Sequence, residues 1–594
     1  MSSKQHPDTF VLSQVENAIE IAWSPTADRN LREQALLFLA QIRSDASAWQ
    51  VCLSLFTRTP HPSEVVRHFC LEVVNTAVQS SQPDAQSLEF VKSNLLDYVR
   101  QTYGSAVSNP DTPHIQNKIT QTLTYLFASL YASSWESFFD DFRTLAGNGA
   151  TTGTGNLAAT TLYLRILSSV HDEIADVLVP RSAEEQKRNT QLKDLVRARD
   201  VQKIALSWQE ILAKWRDTDV SLVEMCLRTI SRWISWVDIS LVVNEPMLRL
   251  LFEIAGQRGV GSPNGFEGVI RDAAIDTFTE IVGKKMRPAE KIELIRVLDL
   301  GNVVGQLVAS PALSDYRSTP NYDNDMAETV AKLVNAVMFD IVNVLDTDNL
   351  EEQTRQQADE LLQIFVSYLL RFFADEYDEI CSTVVPSLTD MLSFFRKVKS
   401  RRGLPSSYSN MLPSILNAII SKMKYDESAS WGEEDEQTDE AEFQELRKKL
   451  NVLQQNVAAI DESMYIDTLS NVVASTFNKL GLDHSQLNWR ELDLALHEMY
   501  LFGELAVRNG GLYAKREPSS IASQRLIEMM TKMVESGSSH QLTEVRASAN
   551  CRQASLIILI PLSSSSTWRY ACGTASSSST TPLSSLASSR TSSA

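Results

Sequence analysis

The chain is 594 residues long, well past the ~250–300 residues at which a single core stops growing, so it is several domains or one repeat array. Hydrophobic residues at 43% and charged residues at 22% describe a soluble folded protein and exclude a disordered one. The formal net charge is −19, from 74 acidic and 55 basic residues. That balance excludes a generic nucleic-acid binder with a basic surface throughout, so any nucleic acid would need a locally basic face.

In chain order, the opening MSSKQHPDTF has no apolar core of a signal peptide. The first strong periodicity lies at 63–80, where Val65/Val66, Phe69/Cys70, Val73/Val74 and Ala77/Val78 recur every four positions, with Ser63 as N-cap after Pro62. Ser87 is expected to open the next helix, which carries Leu88, Val91, Leu95 and Val99. Residues 115–131 follow with Ile115, Ile119, Leu123, Leu126, Phe127 and Leu130. Val201, Ile204, Ala205, Trp208, Ile211, Leu212 and Trp215 make one stripe, and Val223, Cys226, Leu227, Ile230, Ile234 and Val237 make the next. Each is an amphipathic helix with one face to bury, and no alternating strand pattern competes. No apolar run approaches the ~18 residues of a membrane span.

A helix and its turn occupy about 20 residues, so a pair gives the roughly 40-residue period of a HEAT-type repeat. The expected fold is all-α, an α-solenoid of HEAT-type antiparallel helix pairs forming a superhelix. A set of unrelated bundles is the alternative, disfavoured because no long linker interrupts the run. The expected organisation is N-terminal repeats at 1–145, a loop at 146–160 (containing GNGATTGTGN), central repeats at 161–425, an acidic loop at 426–442, further repeats at 443–545 and a tail at 546–594. Glycines 259, 261 and 265 mark another loop, within 258–267. After Glu544 there is no Asp, Glu or Lys, and serine dominates. A low-complexity tail is one reading. An out-of-frame end is the preferred one, because with suitable synonymous codons a shifted reading of 566–575 can be written as the amphipathic string QYMEICVRYS.

No HExxH, CxxC, GxSxG or Walker-type motif occurs, so no enzyme, metal or cofactor is expected. Cys52, Cys70, Cys226 and Cys381 sit in apolar stretches and read as buried reduced thiols, whereas Cys551 and Cys572 fall in the tail. His68 lies two residues before Cys70 and so on another helix face, which disfavours a nucleophile–base pair. Trp49, Trp135, Trp208, Trp215, Trp233 and Trp236 could stack bases but at helical spacing read as core. Three basic groups stand out: Arg181, Lys187, Arg188 and Lys193; Lys284, Lys285 and Arg287; and Arg396, Lys397, Lys399, Arg401 and Arg402. They could cap helix C-termini or, on a concave face, track phosphates.

Long phrases resemble the exportin-T family of filamentous fungi, within the karyopherin-β class. They include NLREQALLFLAQIRSDASAWQVCLSLFTRTP (30–60), SEVVRHFCLEVVNTAV (63–78), HIQNKITQTLTYLFASLYASSWESFFDDF (114–142), SSVHDEIADVLVPRSAEEQKRN (168–189), RDAAIDTFTEIVGKKM (271–286) and FFADEYDEICSTVVPSLTDML (372–392). The likeness runs to about residue 545, and the family is normally far longer, so the chain reads as its N-terminal half with an out-of-frame end. The resemblance implies a nuclear export receptor that binds tRNA cooperatively with Ran GTPase in its GTP form, and touches FG-repeat nucleoporins. It would shuttle between nucleus and cytoplasm, with an indirect role in tRNA processing. By the same resemblance the helices at 63–80 and 114–131 correspond to the Ran-facing ones, and the polar positions off their apolar stripes, Arg67, Asn75, Gln116 and Lys118, are the expected contacts; the three basic groups are the candidates for touching tRNA. A HEAT scaffold or a karyopherin for protein cargo is the alternative. A chain of this length is expected to keep weak Ran binding and lose most tRNA affinity.

Overall fold

The computed structural model describes residues 9–80, 83–105, 111–147, 155–256, 266–314, 322–425, 437–482, 489–508 and 520–536. Among them every regular element is a helix, and no helix is long and apolar enough to cross a membrane. Most of the 147–156 and 258–267 loops, the first eleven residues of the acidic segment 426–442, Cys551, Cys572 and the 546–594 tail lie outside the described residues. The chain forms two compact units, Met1–Lys284 and Lys285–Ala594.

In the first unit, one row of helices packs side by side in the order Glu64–Gln79, Pro113–Leu130, Leu157–Ile174, Val220–Ile234 and Phe266–Gly283. A second row backs it, formed by Ala48–Phe56, Ala85–Tyr103, Phe138–Gly147, Val201–Trp215 and Glu245–Ala255. Ion pairs tie this second row together: Arg100 with Asp141, Lys203 with Asp140, and Arg216 with Glu253. The apolar stripes meet between the rows, where Trp135, Trp208 and Trp233 are fully buried. Trp49 and Trp236 are buried too, and Trp215 is half-buried beside Lys214. Five of these six tryptophans therefore pack cores.

Hydrogen bonds between equivalent positions on neighbouring helices of the first row measure the repeat. Asn75 reaches Gln121 46 residues on, Asn117 meets Arg165 48 on, Thr124 meets Ser169 45 on and Ser231 meets Thr277 46 on. The step from Ser168 to Thr229 is 61 residues. The excess is close to one helix, and the helix is there: Ala183–Arg199, 17 residues, inserted between the Leu157–Ile174 and Val201–Trp215 helices. Its capping box at Ser182 and Glu185 satisfies its first N–H groups. Its apolar positions are few because it packs against the repeat rather than within it, so hydrophobic periodicity gave it no voice.

Ser63 caps its helix as expected, accepting from the Val66 N–H. The next helix starts earlier than the expected Ser87: Asp84 is the cap, and its carboxylate accepts from the Ser87 N–H at 2.8 Å. Ser87 is the third helical residue, the position whose orphan N–H a cap satisfies. Cys52, Cys70, Cys226 and Cys381 are buried. Hydrogen bonding to Cys52 and burial hold the Cys70 thiol well above its ordinary pKa.

The second unit repeats the arrangement. Asn324–Leu345, Asp378–Arg402 and Gln437–Ile460 pack in sequence, and Arg447–Asp493 and Gln454–Glu498 contacts join Trp489–Arg508 to the last of them. Leu300–Val308, Glu352–Phe373, Leu412–Lys422, Glu462–Leu482 and Ile521–Ser536 form the backing row. Asp378–Arg402 contains Pro386, which has no N–H and disturbs the helical ladder. The Ser387 N–H beside it donates to Asn335 Oδ1 at 3.1 Å, so the neighbouring helix supplies the missing acceptor.

Candidate partner-binding surfaces

Helices Glu64–Gln79, Pro113–Leu130 and Leu157–Ile174 together form an open cleft of about 480 Å³. It is lined by His68, His114, Asn117, Lys118, Gln121, Thr124, Tyr125, Ser169, Asp172 and Glu173. The polar lining follows from packing. Each helix gives its apolar stripe to the helices behind it, so the opposite stripe keeps the polar side chains. The cleft therefore carries amide, imidazole, ammonium, hydroxyl, phenol and carboxylate groups suited to a polar surface.

Of the four expected Ran contacts, Lys118 faces this cleft. Arg67 is nearly buried and donates to Asp111 Oδ1 at 2.5 Å and to the Tyr98 hydroxyl. Its guanidinium also lies 5.3 Å from the Phe56 ring centre. Asn75 is buried and donates to Gln121 Oε1 at 2.8 Å, and Gln116 donates to the Asp111 carbonyl at 2.6 Å. Asp111 also accepts from the hydroxyls of Tyr98 and Tyr103, so it gathers Arg67 and two phenols into one buried knot. Position off the apolar stripe was the only signal available from sequence, and it does not distinguish a side chain facing water from one reaching sideways to the next repeat.

At the carboxyl end of Leu157–Ile174, Glu173 pairs with Arg181 at 3.3 Å and Arg188 at 2.7 Å, and Asp172 pairs with Arg232 at 3.1 Å. Burial raises the Asp172 pKa against the pull of Arg232. His171 is held neutral, its pKa pushed down to about 4 by burial and then by Arg232, while its Nδ1 accepts from Trp236 Nε1. Arg165 donates to Asn117 at 2.6 Å.

The three basic groups divide by role. In the first, Arg181 and Arg188 serve Glu173, Lys187 is exposed and Lys193 half-buried. Lys284 donates to the Ile234 and Val237 carbonyls, both at 2.7 Å, closing the C-terminus of Val220–Ile234. Burial lowers its pKa. Lys285 is exposed, and Arg287 pairs with Glu290. Lys397 and Arg401 bridge to Asp346 and Asp348, and Lys399 donates to the Ile460 carbonyl. Arg396 and Arg402 are exposed. Capping and ion pairing thus engage about half of these cations, some of them, such as Arg287 and Arg401, at exposed positions; Lys187, Lys285, Arg396 and Arg402 are exposed and enter no ion pair among the described residues.

A repeated two-row helical architecture with polar rungs every 45 or so residues is that of the HEAT-type class of helical-repeat proteins. Among solved structures, importin 13 in its cytosolic state aligns at a TM-score of 0.50 with 12% identity, covering 72% of this chain and 48% of that one, which speaks for the fold alone. Residues 112–278 match the family model described as Exportin 1-like protein, and residues 352–545 the model described as Exportin-T. The exportin-T of Phaeosphaeria nodorum is 62% identical over 526 residues, spanning 88% of this chain and 51% of that protein. That of Botryotinia fuckeliana is 57% identical over 527 residues, spanning 88% and 50%. The chain belongs to the exportin-T family. It spans about half the length of these relatives.

Proposed function

We propose that the protein is a nuclear export receptor that binds tRNA cooperatively with Ran in its GTP form, passes the nuclear pore through contacts with FG-repeat nucleoporins, and releases tRNA in the cytoplasm when GTP is hydrolysed. The observation that carries this reading is the 62% identity to an exportin-T over 526 residues. The polar cleft beside Lys118 supports a Ran-facing surface on the early repeats. The exposed cations Lys187, Lys285, Arg396 and Arg402 support local phosphate contact in a chain whose net charge is −19. Cooperation of Ran and tRNA is a coupling free energy of ~1–3 kcal/mol, reciprocal between the two ligands. The test measures tRNA binding to this chain and to a longer relative by fluorescence anisotropy, with Ran-GTP and with Ran-GDP. Tighter binding with Ran-GTP supports the reading, and equal binding in both nucleotide states for both proteins ends it.

A karyopherin for protein cargo, or a scaffold, is the second reading. It is favoured by the acidic balance and by the number of arginines already paired within the fold, among them Arg181, Arg188, Arg232 and Arg401. Cargo with a basic surface suits such a chain, and co-purifying proteins without nucleotide dependence would mark it.

A further inference from the structure

The helices Gln437–Ile460 and Trp489–Arg508 meet through polar side chains in a buried setting. Gln454 and Glu498 are both fully buried. Gln454 Nε2 donates to Glu498 Oε2 at 2.6 Å. The other oxygen of each group, Gln454 Oε1 and Glu498 Oε1, is buried with no hydrogen-bond partner. Both groups are planar and joined by one hydrogen bond, and a proton on Glu498 Oε1 would supply the donor that neither leftover acceptor has. Without it, each pays the cost of a buried polar atom left unpaired.

We infer that Glu498 carries a proton on Oε1 and donates it to Gln454 Oε1, closing a two-bond acid–amide clasp, and that losing this proton to solvent loosens the Trp489–Arg508 helix from Gln437–Ile460. The surrounding charges permit it. Arg447, from the Gln437–Ile460 helix, is the cation that bears on Glu498 and favours its ionised form. Arg447 is held elsewhere through two of its three nitrogens: Nη2 donates to Asp493 Oδ2 at 2.7 Å, and Nη2 and Nε donate to the Met423 carbonyl at 2.6 and 2.9 Å, while Nη1 is buried with no hydrogen-bond partner. Its guanidinium lies 4.4 Å from the Tyr425 ring centre and 4.9 Å from that of Phe443. His497, next to Glu498, is held neutral by burial, its pKa pushed down to about 3. On the flanking helices Glu462–Leu482 and Ile521–Ser536, Lys479 pairs with Glu491 and Asp467 with Arg525, all of them partly or largely exposed at the surface. Burial accordingly raises the Glu498 pKa from 4.5 to about 7.

The sign follows from the two end states. Below pH 4.5 the folded and unfolded chains both hold the proton. Above it the unfolded chain releases it while the clasp keeps it until about pH 7, so the clasp weakens steadily across that window. A displacement of that size changes the local opening equilibrium on the order of 100-fold, since each pH unit is tenfold.

The experiment uses the full chain and its Glu498→Gln variant, whose amide can form the same two bonds with Gln454 at any pH. Hydrogen exchange of peptides from 489–508 and 437–460, corrected for intrinsic rates, is followed from pH 5 to 8. Protection in the wild-type chain is expected to fall on the order of 100-fold relative to the variant. Parallel profiles in the two proteins overturn the inference. Infrared spectroscopy of the wild-type chain is the second readout and does not depend on how the variant folds. A protonated-carboxyl band that persists at pH 6 and fades by pH 8 supports the clasp. Its absence at pH 6 overturns it.

Discussion

Removing the Asp111 carboxylate is the sharpest test of how the early repeats are joined. Asp111 holds Arg67 at 2.5 Å and accepts from Tyr98 at 2.6 and 2.8 Å and from Tyr103 at 2.9 Å, all within a buried site. Asp111→Ala leaves a nearly buried guanidinium without its counter-charge, which costs ~3–5 kcal/mol when one member of such a pair is lost. Each stranded phenol adds about 1 kcal/mol if it re-pairs poorly. With both phenols stranded the expected total is about 5–7 kcal/mol. Arg67→Met costs less, about 2–3 kcal/mol, because Asp111 keeps its two phenol donors. The double variant costs less than the sum of the two by ~1–3 kcal/mol, the coupling expected of groups in one network. Native-state hydrogen exchange of peptides from 64–79 and 85–103 reads these values locally, which a global melt of two units would not. A cost below about 1 kcal/mol for Asp111→Ala, or strict additivity, refutes the reasoning. The same series separates two roles for Arg67. A variant that loses Ran-GTP affinity while keeping full protection in Glu64–Gln79 would make Arg67 a contact residue rather than a strut.

Lys118→Ala is expected to leave stability within about 0.5 kcal/mol and to weaken Ran-GTP binding; unchanged binding in a pull-down titration removes the cleft from the Ran-facing surface. His171 is neutral in the fold with a pKa near 4, against 6.5 ordinarily, so its contribution is present above pH 6.5 and is lost as pH falls toward 4, by up to about 3 kcal/mol; His171→Gln should flatten the wild-type acid slope in denaturation curves. Charge reversal at Lys187, Lys285, Arg396 or Arg402 is expected to lower tRNA affinity and reduce its salt dependence by about one counterion per lost contact, whereas Lys284→Met should cost stability by freeing the Ile234 and Val237 carbonyls. Asn335→Leu strands the Ser387 N–H beside Pro386 and is expected to cost ~1–3 kcal/mol, visible as faster exchange at 383–390.

Much of this could be foreseen from side-chain periodicity, because an amphipathic helix declares its buried face in its own sequence. The stripe from Phe69 to Val78, the stripe from Val201 to Trp208, the buried cysteines and the core tryptophans all follow from local spacing and the cost of leaving apolar surface in water. The helix-pair period follows as well, since one helix cannot cover its stripe alone.

What a polar residue does was settled by its neighbours about 45 residues away. Arg67, Asn75 and Gln116 lie off the apolar stripe, as surface residues do, yet each spends its polar group inside the fold. Lys118 is of the same kind by sequence and lines a cleft. Lys284 and Lys285 are adjacent, and one closes a helix end while the other is exposed. Hydrogen bonds and ion pairs act over a few ångströms, and which groups come within that distance depends on the stacking of whole repeats. Sequence determined that the helices would form and which side they would bury; tertiary packing alone decided which of the remaining charges were used up within the stack and which were left for a partner.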